Sequence, residues 1–124
     1  MSSVEQMKDN LSYMKDFKGL TPEQLTTIKA AQEALDRIPL IPCTNCNYCA
    51  KVCPKNIGIS ASFNAMNLYT LYNNQASAKQ QIMFNVTRAG KLPADQCVKC
   101  GKCEKVCPQH IQIRDELEKV AQAL

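Results

Sequence analysis

Apolar positions recur at helical spacing near the N-terminus. Val4, Met7, Leu11 and Met14 are three and four residues apart, which puts them on one helical face. This first helix is predicted to start near Ser2 or Ser3, with Glu5 placed to close a capping box on Ser2. Gly19 ends the unit. A second helix has a fuller start signal. Thr21 is the cap, Pro22 fills the first helical position and Gln24 completes the box. Leu20 and Leu25 are spaced as a hydrophobic staple. Leu25, Ile28, Ala31 and Leu35 form a stripe predicted to be buried, and Pro39 and Pro42 stop the helix.

Between Ile59 and Ala89 there is neither Gly nor Pro, which favours helix. Phe63, Met66 and Tyr69 or Thr70 share one side of the first half, and Ile82, Met83 and Val86 share one side of the second. Asn73-Asn74 marks the break, Gly90 a helix end, and Asp95 a cap for the next turn. A last helix is predicted after Ile113, with Leu117, Val120, Ala121 and Leu124 as its apolar positions. The predicted elements are helices joined by loops, and the predicted fold is all-α.

The loops carry an internal repeat. Residues 43–59 read CTNCNYCAKVCPKNIGI and residues 97–113 read CVKCGKCEKVCPQHIQI, nine of seventeen positions being identical at a constant offset of 54. The shared residues include four Cys and the Pro that follows the last of them. Eight Cys in 124 residues is the outlying count in this composition. In a secreted chain it would suggest disulfides. The start, Met1-Ser2-Ser3-Val4-Glu5, lacks the basic and apolar parts of a signal peptide. No apolar run approaches a membrane span of about 20 residues. The chain therefore reads as soluble and cytoplasmic, where thiols stay reduced and free for metal.

Each copy is C-x2-C-x2-C-x3-C-P, the run found in two-cluster ferredoxins, in which the fourth Cys ligates the other cluster. Three thiolates spaced by two residues sit on one tight loop and first helical turn. The fourth, three residues on, emerges on a different side. Pro54 and Pro108 end that turn and push Cys53 and Cys107 toward extended backbone. The expected cofactors are two [4Fe–4S] clusters. The first takes Cys43, Cys46, Cys49 and Cys107; the second takes Cys97, Cys100, Cys103 and Cys53. Zinc also accepts four thiolates, but its motifs usually present Cys as two separated pairs.

The formal charge of +4 is too mild for nucleic acid. Two oxidised cubanes at about −2 each would offset it. Lys51, Lys55, Lys99, Lys102 and Lys105 flank the Cys runs. They read either as local screening that raises cluster potential or as solvated faces. Ile57, Ile59, Ile111 and Ile113, with Val52 and Val106, are placed to wall the sites from water. Tyr48 reads as packing, and His110 as a surface or neighbouring group. Beyond the Cys set there is no nucleophile–base pair, Gly-rich phosphate loop or paired carboxylate, so catalysis by the chain alone is not expected.

The 43-residue spacer with its helical pattern favours a helical ferredoxin-like domain with two cluster-binding loops over a compact βαβ repeat. It resembles the iron–sulfur subunits of succinate dehydrogenase and heterodisulfide reductase types. A second resemblance covers nearly the whole chain. Leu20-Thr21-Pro22-Glu23-Gln24, Ile38-Pro39, Ile41-Pro42-Cys43-Thr44 and Cys107-Pro108-Gln109-His110 are similar to the C-terminal dicluster domain of prokaryotic aldo/keto reductases. Residues 1–19 resemble the end of that family's barrel, and 20–124 the dicluster domain. The resemblance implies a (β/α)8 barrel, holding NAD(P)H, that this chain lacks. It also implies that Met1 is an internal methionine and the chain a fragment or truncated product. The expected function is electron transfer serving such an oxidoreductase, through a covalently linked barrel or a separate redox partner. The alternatives are an iron–sulfur or zinc-stabilised interaction module, or a stand-alone electron-transfer subunit of a flavoprotein or reductase complex.

Overall fold

The computed structural model describes residues 2–124; Met1, and with it the question of a natural start, lies outside them. By packing, the chain divides into two units, the first ending at Arg37 and the second running Ile38–Leu124. The sequence boundary after Gly19 followed a family resemblance, whereas this one follows packing.

In the first unit, α1 (Val4–Met14) is capped by Ser3, whose side chain accepts from the Gln6 amide. The cap is thus Ser3 and its partner Gln6, one residue later than the Ser2–Glu5 box. Helix α2 (Pro22–Asp36) starts as its sequence predicts: Thr21 accepts from the Gln24 amide, and the Gln24 side chain accepts from the Thr21 amide. The expected stripe is not a core. Neither helix has a buried residue, and Leu25, Ile28 and Leu35 are all exposed. Two helices offer too little facing surface to bury each other's apolar stripes.

The second unit is built on five α-helices among the described residues and their connections. A short α3 (Tyr48–Val52) lies in the first Cys run, followed by the long α4 (Ile59–Tyr72). Asn73 ends α4 in the left-handed region, and the Asn74 side chain caps α5 (Gln75–Ile82) by accepting from the Ser77 amide. The break falls where the sequence put it, because Asn tolerates both positions. Helix α5 runs into a π-helical turn, Met83–Thr87, and Gly90 turns the chain back with φ +70°. Leu92 then pairs with the start of α4: its amide donates to the Asn56 carbonyl and its carbonyl accepts from Gly58. This isolated parallel bridge, Ile57 with Leu92, delivers residues 94–97 beside the first Cys run. There is no strand among the described residues. A 3-10 turn, Ala94–Gln96, is capped by Pro93, so Asp95 lies inside it rather than capping it. Helices α6 (Lys102–Lys105) and α7 (Ile113–Ala123) repeat the pattern of α3 and α4.

The core lies between α4 and α7. Phe63, Ile57, Ile59, Ile113 and Leu117 are all fully buried there. The expected α4 face is correct at Phe63 and Met66, but Met83 is exposed while Val86 is buried. Val86 packs against Gly58, where a Cβ would lie 2.8 Å from a Val86 methyl. Only glycine permits that approach.

Candidate metal centre

The repeat is conformational as well as chemical. Asn45, Asn47 and Asn56 of the first copy have φ of 58°, 60° and 52°. Lys99, Gly101 and His110 stand 54 residues later at 53°, 73° and 52°. The same three positions are left-handed in both copies. For a non-glycine residue that conformation costs about 1–2 kcal/mol, and Asn lessens it by local hydrogen bonding. Lys99 and His110 have no such relief, so the surrounding fold imposes their conformation. Alternation of right- and left-handed residues aims successive amides into one concavity, an anion-accepting arrangement used at iron–sulfur sites.

These turns and the helices behind them bring the eight Cys into two groups. One hollow of about 330 Å³ is lined by Cys43, Cys46, Cys49 and Cys107. A second of the same size is lined by Cys97, Cys100, Cys103 and Cys53. In each case three Cys come from one run and the fourth from the other. The walls are apolar: Ile59 borders both hollows, Phe63, Ile111 and Ile113 close the first, and Ile57 and Leu117 the second. All four expected Ile are buried walls, while Val106 is exposed and takes no part. Tyr48 borders the first hollow with its ring half exposed and Lys51 above it. His110 is exposed, as expected.

The Cys are not equivalent. Cys46 and Cys100 are exposed, whereas Cys49 and Cys103 are buried on the first turns of α3 and α6. Burial pushes the Cys49 thiol up, with the neighbouring Cys43 adding to it. Burial, then the Glu104 carboxylate, push Cys103 up to about 11. Thiols raised in this way hold their protons, so loading with metal releases protons. Cys53 is extended, at φ −76° and ψ 113°, and its Sγ accepts the Ile57 amide at 3.4 Å. No three Cys, His, Asp or Glu side chains converge on a single ion position among the described residues. The quartets surround a space, and four thiols around an apolar-walled hollow fit a cubane with four corners to be capped.

Three supports behind the site had only weak sequence signals. Asn67 on α4 clamps the residue two before Cys43, accepting from the Ile41 amide at 2.8 Å and donating to its carbonyl at 2.9 Å. Buried Ser60 donates to Asn47 in the first loop. At the equivalent place in the second copy, Arg114 pairs with Glu104: Nε donates at 3.0 Å, Nη2 lies at 2.9 Å, and the Arg114 amide donates at 2.9 Å. Glu104 thereby ties α6 to the start of α7 with charge-assisted bonds. A polar residue one step into a helix, 54 apart in the two copies, was the available clue.

Comparison with curated proteins and with solved structures gives no match. Among the described residues no helix is long and apolar enough to cross a membrane. The family described as 4Fe-4S dicluster domain matches residues 42–112, a span that holds all eight Cys and the three left-handed positions of each copy. The chain belongs to the 4Fe-4S dicluster domain family.

Proposed function

We propose that this chain transfers electrons through two [4Fe–4S] clusters, one in each hollow, with the fourth Cys crossed between copies. The observation that carries this reading is the lining of the hollows, in which Cys53 joins the second run and Cys107 the first. A bound cubane supplies reversible one-electron chemistry. The rest belongs to the chain. The Cys thiolates hold the group, Ile59 stands between the two sites and keeps water out, and the Ile57 amide donates to a ligand sulfur. Crossing makes each site need both copies, so binding closes the fold around α4 and α7.

The partner reading is an aldo/keto-reductase-like barrel using NAD(P)H, covalently linked or separate. It is supported by the residues of the Leu20–Gln24 and Ile38–Thr44 segments. A hydride moves two electrons, and two one-electron sites suit the splitting of that pair. The test is anaerobic reduction of the full chain with EPR detection. Signals that appear on reduction and vanish on reoxidation are expected. An iron-loaded chain that gives no signal at any accessible potential would contradict electron transfer and leave a structural role.

A further inference from the structure

The internal repeat supplies its own control, because every residue lining one hollow has a counterpart 54 positions away lining the other or standing beside it. Most counterparts match in kind: Ile57 with Ile111, Leu117 with Phe63. Charge does not match. The hollow of Cys53, Cys97, Cys100 and Cys103 is bordered by Lys55 and Arg114. The counterparts are Gln109, which borders the other hollow, and Ser60. Among the described residues no Lys or Arg lines the hollow of Cys43, Cys46, Cys49 and Cys107, although Lys51 lies over the ring of Tyr48, which does.

Two details set the size of this difference. Arg114 borders the hollow but is paired with Glu104, whose carboxylate also acts on Cys103, so the pair adds little net charge and Lys55 is the uncompensated cation. Lys55 has no ion-pair partner among the described residues. It is exposed, so its effect is partly screened. A third difference has the same sign. Cys53 Sγ accepts the Ile57 amide, and no matching bond joins Ile111 to Cys107 among the described residues. Positive charge and hydrogen bonds to sulfur both favour the more negative, reduced state.

We infer that Lys55, together with the Ile57 amide bond to Cys53, makes the Cys53–Cys97–Cys100–Cys103 site the more easily reduced of the two, so that the first electron entering the chain rests there. The inference rests on the proposed two-cluster reading. An added one-electron donor of the viologen class supplies one electron to each site, and no bond is made or broken. Lys55 acts as a tuning group and touches no substrate.

The test is redox potentiometry followed by EPR on the anaerobically loaded full chain, with Lys55→Gln, Gln109→Lys and the double exchange. Two one-electron waves are expected in the wild type. Lys55→Gln should lower the upper wave alone, changing the electron-sharing ratio by on the order of threefold, the scale of one water-screened unit charge. Gln109→Lys should raise the lower wave alone, and the double exchange should draw the waves together. A single unresolved wild-type wave, an upper wave indifferent to Lys55→Gln, or a lower wave that moves instead would overturn the inference while leaving electron transfer intact. A wild-type chain that takes up no iron overturns the proposed function and this inference together. If Lys55→Gln fails to load, Gln109→Lys decides alone, a rise in the lower wave supporting the inference and no change overturning it.

Discussion

The two copies of the Cys run reach one backbone shape by different means. The first copy uses three asparagines for its left-handed turns and locks them with neutral bonds: Ser60 to Asn47, Asn47 to the Asn45 carbonyl, and Asn56 to the Gly90 carbonyl. The second uses Lys99, Gly101 and His110, and locks its loop with charge: Glu104 to Arg114, and Lys99 to Glu118. The Cys, the Pro and the two Ile are common to both. What the chemistry needs is therefore the turn and the thiols, and the support is free to vary. The varying support leaves one hollow bordered by cations and the other neutral.

The largest expected effect tests whether the copies depend on each other. Cys53→Ser lies in the first run but should empty the hollow of the second, losing about half the iron and leaving the Cys43–Cys46–Cys49–Cys107 site loaded. Cys107→Ser should do the reverse. Iron and sulfide analysis with EPR of the remaining site would show it. Loss from the variant's own run instead would sink the crossed arrangement.

A smaller effect separates the copies at the start of their long helices. Gly58 corresponds to Gln112. Gly58→Ala places a methyl 2.8–2.9 Å from two Val86 atoms, and overpacking of that kind costs about 1–3 kcal/mol. Gln112 is exposed, so Gln112→Ala should stay within about 0.5 kcal/mol. Urea denaturation of the loaded protein compares them, and equal losses would deny the asymmetry.

The locks rank next. Glu104→Ala removes the acceptor of the Arg114 amide and guanidinium, and should cost about 1 kcal/mol, since Arg114 is partly exposed and screening trims the pair. Lys99→Ala breaks an ion pair exposed on both sides and should leave stability nearly unchanged, well below the Glu104→Ala effect. Lys99→Asn, which imports the first copy's choice, should match or exceed the wild type, because Asn tolerates the left-handed turn better. A marked loss in that variant would mean that the pair, and not the turn, holds the loop.

Much of this molecule can be read before it folds, and what cannot has a physical reason. The α2 cap, the Asn73–Asn74 break and the start of α7 are local signals that packing left alone. The two Cys quartets follow from spacing, and the structure gathers each around one hollow. Lys99 gave no sign of left-handed backbone, because Lys does not favour it, and His110, of a type that visits it more often, gave only a weak one; their register with Asn45 and Asn56 was the stronger clue. The approach of Gly58 to Val86 joins residues 28 apart and has no local signature. The stripes of α1 and α2 have helical period, but periodicity reports a face and not what covers it.

The most direct test of the central claim is metal and acid-labile sulfide analysis of the chain purified without oxygen. About eight iron and eight sulfide per chain are predicted, four of each per quartet. Stoichiometric zinc without sulfide, or iron for one quartet only, would contradict it.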